Sequence, residues 1–96
     1  MFKITQSKGF WMTFANGITV SVQWGPGNYC SYIGGSITGD CQSNTAEVAV
    51  WKELEPPDID VVGEFIRPPF EWYGDSICGW CTPEQVAEVI AWAAAQ

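Results

Sequence analysis

A chain of 96 residues accommodates one domain, and its 47% apolar residues, with six Trp, five Phe and three Tyr, can give that domain a core. Eleven Asp and Glu against four Lys and Arg give a net charge of −7, which argues against binding to phosphate backbones or anionic membranes. We therefore expect a single domain over residues 1–96, without direct nucleic-acid binding or a membrane partner.

The first residues of the chain bear on its location. Residues 1–8 lack the continuous apolar stretch of a signal peptide. No segment approaches the ~20 apolar residues that a membrane-spanning helix needs. We expect a cytoplasmic protein, in which cysteines are thiols or metal ligands more often than disulfides.

Residues 9–24 alternate apolar and polar side chains on either side of Asn16-Gly17, which predicts a β-hairpin. A two-residue loop would mix polar and apolar groups on both faces. A three-residue loop over 15–17, with Gly17 left-handed in a bulge, leaves one face wholly apolar. That register pairs Phe14 with Ile18, Met12 with Val20 and Phe10 with Val22.

Three further segments follow the hairpin. Residues 25–44 are rich in Gly, Ser, Asn and Asp and are predicted to form one long loop. Residues 45–51 predict a third strand whose inward side chains are Ala46, Val48 and Val50. Residues 65–67 could add a short strand before Pro68, and the aromatic residues 70–73 could lie across the sheet.

The end of the chain predicts a helix with a well-marked start. Thr82 is suited to the N-cap, Pro83 to the first helical position and Gln85 to a capping box. One face of the helix is apolar and should cover the apolar face of the sheet; it carries Val86, Val89, Ile90 and Ala93. The predicted fold is α+β: a three- to four-stranded antiparallel β-meander packed against one C-terminal α-helix.

The four cysteines allow three interpretations. Cys78 and Cys81 have thioredoxin-like spacing, but the helix begins after the second cysteine and no βαβ pattern precedes it. Together with Cys30 and Cys41 they could supply four thiolates to zinc, although the wide spacing of the first pair is unusual. The favoured interpretation is that the cysteines are small buried hydrophobic residues or opportunistic pairs, so no cofactor is expected.

Two groups of residues are candidates for recognition. Trp11 and Trp51 should share the outer face of the sheet, either as a binding surface or covered by residues 65–73. Two tyrosines of the 25–44 loop are further contact candidates. So is an acidic segment over 53–64, for which the alternative is a connection exposed to solvent. The residues concerned are Tyr29, Tyr32, Glu53, Glu55, Asp58 and Asp60.

Enzyme function is not favoured. The chain has no His, which is the common general base and the commonest metal ligand. The turn at residues 25–28 follows a strand but opens no helix, so it is not a phosphate-binding loop. We expect a non-enzyme.

Several stretches resemble small uncharacterised proteins of bacteriophages and their bacterial hosts. They are residues 14–17, 19–30, 46–51 and 79–86, which together make up 30 of the 96 residues. The resemblance implies a small accessory protein that acts by binding and disabling a host factor. The resemblance assigns no functional role to any residue of this chain.

The leading hypothesis is thus an acidic binding protein that inhibits or modulates a host protein, such as a phage anti-defence (anti-CRISPR-like) factor in the host cytoplasm. Its partner should be a protein with a basic surface, because the chain is acidic. One alternative is a sponge protein that binds a nucleotide or sugar, which stacks on Trp or Tyr in a pocket. Such a pocket could lie at the interface of a homodimer. Another is a structural component of a larger assembly.

Overall fold

A computed structural model describes residues 1–5, 8–35, 41–54, 63–72 and 76–96, with the backbone alone for 32–35 and 41. Its elements in chain order are β1 (Phe2–Ile4), β2 (Gly9–Thr13), β3 (Ile18–Gln23), β4 (Tyr32–Gly35), β5 (Cys41–Ser43), β6 (Ala46–Lys52), β7 (Glu64–Phe65), β8 (Ile77–Cys81) and α1 (Pro83–Ala94).

Within these residues, six strands form one antiparallel sheet in the order β1-β2-β3-β6-β7, and β8 also pairs with β6. β6 is central: β3 lies along one side, and β8 and β7 share the other. The α+β class with a C-terminal helix is confirmed, but three to four strands were too few. β1 was missed because three residues are too few to show alternation, and β8 because an irregularity interrupts its period of two.

The hairpin has the predicted register. Phe10 lies opposite Val22 and Met12 opposite Val20, and the Phe14 amide donates to the Ile18 carbonyl at 2.9 Å. The Gly17 amide donates to the Phe14 carbonyl at 3.0 Å, and Gly17 has φ 85°, in the left-handed region. The hydrophobic pattern therefore identified the loop length correctly.

The core lies between α1 and one face of the sheet. The predicted inward residues of β6 are confirmed, since Val48 and Val50 are completely buried and Ala46 is nearly so. From α1, Val89 and Ala93 are completely buried, while Val86 and Ile90 pack at the edge. Apolar side chains of the two layers thus cover one another, as the two patterns indicate.

The start of α1 is also confirmed. The Gln85 amide donates to the Thr82 side chain at 3.2 Å, and the Thr82 amide donates to the Gln85 side chain at 2.8 Å. Both bonds of a capping box are present. α1 has 12 residues, and no helix in the described parts of the chain is long and apolar enough to cross a membrane.

The segment 25–44 is not one continuous loop. β4 and β5 pair there as a separate two-stranded sheet. Both strands are short, and β4 includes Gly34 and Gly35, so neither shows the side-chain alternation that marks a strand. Similarly, the short strand predicted at 65–67 is the two-residue β7, one residue earlier.

Asn16 ties the hairpin turn to the end of α1. Its side-chain amide donates to the carbonyls of Ala93 at 2.8 Å and Gln96 at 3.0 Å, and its oxygen accepts from the Ile18 amide at 3.0 Å. The Ala93 carbonyl lies in the last turn of α1, at the negative end of the helix, and also accepts from the Ala95 amide and, at 3.5 Å, from the Gln96 amide. The Asn16 side chain adds hydrogen bonds that fix the hairpin turn to this end of the helix.

Asn16→Asp is expected to lower the free energy of unfolding by about 2 kcal/mol at neutral pH, since it replaces the donor by a charge beside helix carbonyls. Urea unfolding measures the change. Gln42→Glu, at an exposed position, adds the same charge and should change stability by less than about 0.5 kcal/mol. Equal effects from the two variants would show that the Asn16 contacts do not stabilise the fold.

Candidate binding groove

The outer face of the main sheet, opposite α1, carries a groove of about 500 Å³. Its centre is one row of directly paired residues that crosses the sheet from β1 to β8. The row consists of Lys3, Trp11, Ser21, Ala49 and Ile77. Because Ser21 and Ala49 are small and stand between larger side chains, the middle of the row is low and the face is concave.

An aromatic wall borders the groove. The rings of Trp11 and Trp51 meet edge to face, with centroids 4.9 Å apart at 81°. Phe65 of β7 packs on Trp51 with centroids 6.0 Å apart at 74°. Trp51 is only 4% exposed, whereas Phe65 is 44% exposed and Trp11 is half-buried. Trp51 thus supports the wall, while Trp11 and Phe65 present surface to a ligand.

A polar network fixes Trp51. Its indole nitrogen donates to a carboxylate oxygen of Glu53 at 3.1 Å, and the same oxygen accepts from the Thr19 hydroxyl at 2.6 Å. The hydroxyls of Thr19 and Thr13 are 2.7 Å apart. A buried Trp and a buried Thr therefore have their polar groups satisfied, and the indole ring is held in one orientation.

The opposite side of the groove is polar. The Gln23 side chain donates to the hydroxyls of Thr5 and Ser21. Glu47 accepts from the Tyr29 amide at 2.8 Å. Both Gln23 and Glu47 line the groove. The groove therefore has an aromatic side and a hydrogen-bonding side.

Two lysines give the groove a charge opposite to that of the whole protein. The Lys3 ammonium lies 4.4 Å from the centre of the Trp11 ring, which is a cation–π contact. Lys8 also lines the groove, so two of the chain's four Lys and Arg residues stand here. Among the described residues that line the groove, Glu47 is the one acidic residue. A carboxylate or another anion can therefore approach the Lys3 end.

The predicted recognition residues separate in the structure. Trp11 and Trp51 are together on the outer face, and Glu53 contacts Trp51. Tyr29 lies outside the groove lining, 59% exposed, and packs at 5.7 Å on Trp80, which is 49% exposed. The remaining predictions fall on Glu55, Asp58 and Asp60, which lie outside the described residues, and on the Tyr32 side chain, which is likewise not described.

A cover by residues 65–73 was one of the two alternatives for the tryptophans, and among the described residues 65–72 it holds for Phe65. Phe65 packs on Trp51, but Trp72 is buried in the core on the α1 side, where Phe70 also packs. The Arg67 guanidinium donates to the Trp72 carbonyl at 2.8 Å and fixes that segment. Apart from Phe65, the aromatic residues of the described part of this segment therefore contribute to the core and do not cover the groove.

Sequence reasoning missed Lys3, Ala49 and Ile77 as groove residues. Lys3 and Ile77 belong to β1 and β8, which were not predicted. Ala49 follows from the alternation of β6, in which it must share the outer face with Glu47 and Trp51. Its small size beside two large residues is the signal that could have indicated a depression.

The three cysteines whose side chains are described lie apart from the groove. The sulfurs of Cys78 and Cys81 are 3.1 Å apart and buried, whereas the Cys30 sulfur contacts the backbone amide of Gly25 at 3.3 Å. Burial, with smaller contributions from the hydrogen bond and charge of Cys78, raises the pKa of the Cys81 thiol to about 12. A protonated, buried thiol is the opposite of the low-pKa nucleophile of thioredoxin-type catalysis.

Among the residues whose side chains are described, which exclude Cys41, no group of three or more Cys, Asp or Glu is placed to hold a metal ion. No family model, curated protein or solved structure matches the chain. The resemblance to phage proteins therefore stays a prediction.

Proposed function

We propose that the protein acts by binding a partner protein in the outer-face groove, and that this binding inhibits or modulates the partner. The observation that carries the proposal is the open groove with an aromatic wall, on a face that α1 does not cover. Trp is enriched at the centres of protein interfaces, where it fills or lines pockets. A large concave apolar surface on a small domain is uncommon unless a ligand covers it.

The groove specifies the chemistry of the bound segment. The low centre at Ser21 and Ala49 fits one apolar side chain, which would contact the exposed edges of Trp11 and Phe65. Lys3 and Lys8 favour an acidic residue beside it. The partner segment is thus an extended peptide with an aromatic or aliphatic residue next to Asp or Glu.

This local chemistry differs from the expectation of a basic partner surface. That expectation rests on the net charge of −7, which belongs to the whole chain. Long-range attraction between an acidic protein and a basic partner raises the association rate, whereas the contacts within the groove decide which segment is held. The two features can operate together in one complex.

Selection from a random peptide library on the immobilised protein tests the proposal. We expect enriched peptides with an apolar residue beside an acidic residue. Trp11→Ala should weaken their binding by about 30-fold, which corresponds to the ~2 kcal/mol typical of a hot-spot residue. Isothermal titration calorimetry with one synthetic peptide gives the dissociation constants.

Two matched variants make the result specific. Ala49→Leu fills the low centre of the groove and should also abolish peptide binding, whereas Trp80→Ala removes an exposed Trp outside it and should leave binding unchanged. Circular dichroism confirms folding of each variant. Peptides that bind Trp11→Ala and Ala49→Leu as tightly as the native chain would contradict the proposal.

A small anionic ligand is the second candidate, favoured by the cation–π contact of Lys3 with Trp11. The groove volume of about 500 Å³ lies within the range of small-molecule sites. Under this hypothesis a nucleotide or an acidic sugar stacks near Trp11 with its charge at Lys3. Titration with nucleotides should then quench tryptophan fluorescence in the native chain and much less in Lys3→Gln; no quenching in the native chain removes this candidate.

A further inference from the structure

A bulge in β8 brings two cysteine side chains to the same face of the strand. Between paired positions, β6 advances two residues, from Ala46 to Val48, while β8 spans three, from Cys81 back to Cys78. Residues three apart in a regular strand point to opposite faces. The extra residue of the bulge reverses this alternation between Cys78 and Cys81, so both cysteines point into the core.

The backbone of the bulge is unusual at Trp80, which has φ 54° in the left-handed region. A bulky residue seldom adopts this conformation, which costs about 1–2 kcal/mol. The Trp80 amide is held by the Tyr29 carbonyl at 2.9 Å. The surrounding structure thus maintains a strained turn whose direct consequence is the approach of the two thiols.

The sulfurs are close to bonding distance. The Cys81 thiol donates to the Cys78 sulfur, and the two sulfur atoms are 3.1 Å apart. A disulfide has a sulfur–sulfur distance of about 2 Å, so an approach of about 1 Å completes the bond. Cys78 is 6% exposed and Cys81 is 2% exposed, which limits their access to large reagents.

The two cysteines line two different cavities. A cavity of about 300 Å³ beside Glu71, Trp80 and Gln85 is lined by Cys78. A second cavity, of about 290 Å³ between Trp24 and Val86, is lined by Cys81. Each of the two cysteines therefore lines a space large enough for part of a small molecule.

We propose that Cys78 and Cys81 are a modification site, at which a low-molecular-weight disulfide such as oxidised glutathione converts the dithiol into an intramolecular disulfide. Cys78, the more exposed residue, attacks one sulfur of the reagent as a thiolate and releases one small thiolate, which takes up a proton. Cys81 then loses its proton, a step that its high pKa makes slow at neutral pH, and attacks the Cys78 sulfur 3.1 Å away, and the second small thiol leaves. The protein loses two hydrogens, and the reagent is reduced to two thiols.

The product should be persistent. A thiol with a high pKa is a poor leaving group, and burial raises the pKa of Cys81 to about 12. The disulfide would join both ends of the bulge and hold Trp80 in its strained conformation. It would therefore lock the exposed Tyr29–Trp80 ring pair in place.

The test exposes the full chain to oxidised glutathione, unfolds it in denaturant, blocks the remaining thiols there with N-ethylmaleimide, and measures intact mass and peptide maps. We expect two of the four cysteines to escape alkylation and the map to join Cys78 to Cys81. Cys30→Ser should give the same result. Four alkylated cysteines after treatment, or a disulfide that includes Cys30 or Cys41, would overturn the proposal.

A second variant tests the order of attack. Cys81→Ala should stop the reaction at the mixed disulfide, seen as the mass of one glutathionyl group on Cys78. Cys78→Ala should form neither the intramolecular disulfide nor a glutathionyl adduct at Cys81. Because the peptide map of the native chain is decisive by itself, poor folding of a variant does not leave the proposal untested.

Discussion

Replacing Trp51 with alanine lowers the free energy of unfolding by about 3–5 kcal/mol. The side chain is 4% exposed, and its ring contacts Trp11 and Phe65. Truncation leaves a cavity on the outer face and removes the indole N–H that donates a hydrogen bond to Glu53. Chemical denaturation followed by circular dichroism measures the loss, which is a large part of the 5–15 kcal/mol expected for a domain.

Trp51→Phe is the matched control for this prediction. It keeps an aromatic ring between Trp11 and Phe65 but lacks the indole donor, so the loss should fall to about 1–2 kcal/mol. Losses below about 1 kcal/mol for Trp51→Ala would show that the outer face is not a packed layer. Trp11 is the better residue for binding experiments, because its truncation disturbs the fold less than that of Trp51.

Gly9→Ala is expected to lower the free energy of unfolding by about 3 kcal/mol or more. Gly9 has φ 153°, and an added Cβ would lie 1.9 Å from the Val22 carbonyl oxygen and 2.9 Å from the Gln23 Cα. Both atoms belong to the backbone of β3, so the clash can be relieved only if β2 and β3 move apart. At about 4–8 °C for each kcal/mol, the midpoint of thermal unfolding should fall by about 12 °C or more.

Gly17→Ala separates the steric contribution from the conformational one. Gly17 also has a positive φ, of 85°, but an added Cβ meets nothing within 4 Å. Its replacement should cost only the backbone strain of about 1 kcal/mol. If both variants lose the same stability, the close approach of Gly9 to β3 is not important to the fold.

The features that the sequence predicted correctly are local. The hairpin register depends on two alternating strands and the Asn16-Gly17 turn, and the start of α1 depends on four consecutive residues from Thr82 to Gln85. Each signal lies within a few residues of the element that it specifies. Packing of these two elements against each other then follows from their apolar faces.

The missing strands depend on partners far along the chain. β1 is exposed at every residue and is held by pairing with β2, so its sequence carries no burial pattern. β8 contains a bulge at Gly79-Trp80 and pairs with β6, about thirty residues earlier. Since Lys3 and Ile77 lie on these strands, the ends of the groove could not be predicted from local sequence.

The middle of the candidate site was predictable in part. Alternation placed Trp11, Trp51 and Ser21 on one face, and the structure confirms that placement. It could not show that Glu53 contacts the indole of Trp51, because that contact depends on how the chain turns after β6. The acidic residue was predicted to meet a partner, and in the described structure it orients a residue of the aromatic wall.

Nuclear magnetic resonance of the indole N–H groups tests the groove most directly, since the six Trp residues give six separate probes. The selected acidic–apolar peptide is titrated into the isotopically labelled protein. Binding in the groove predicts that the Trp11 and Trp51 resonances shift in a saturable way, while those of Trp72 and Trp80 stay in place. Saturable shifts at Trp80 with Trp11 unchanged would place the peptide elsewhere and contradict the proposed site.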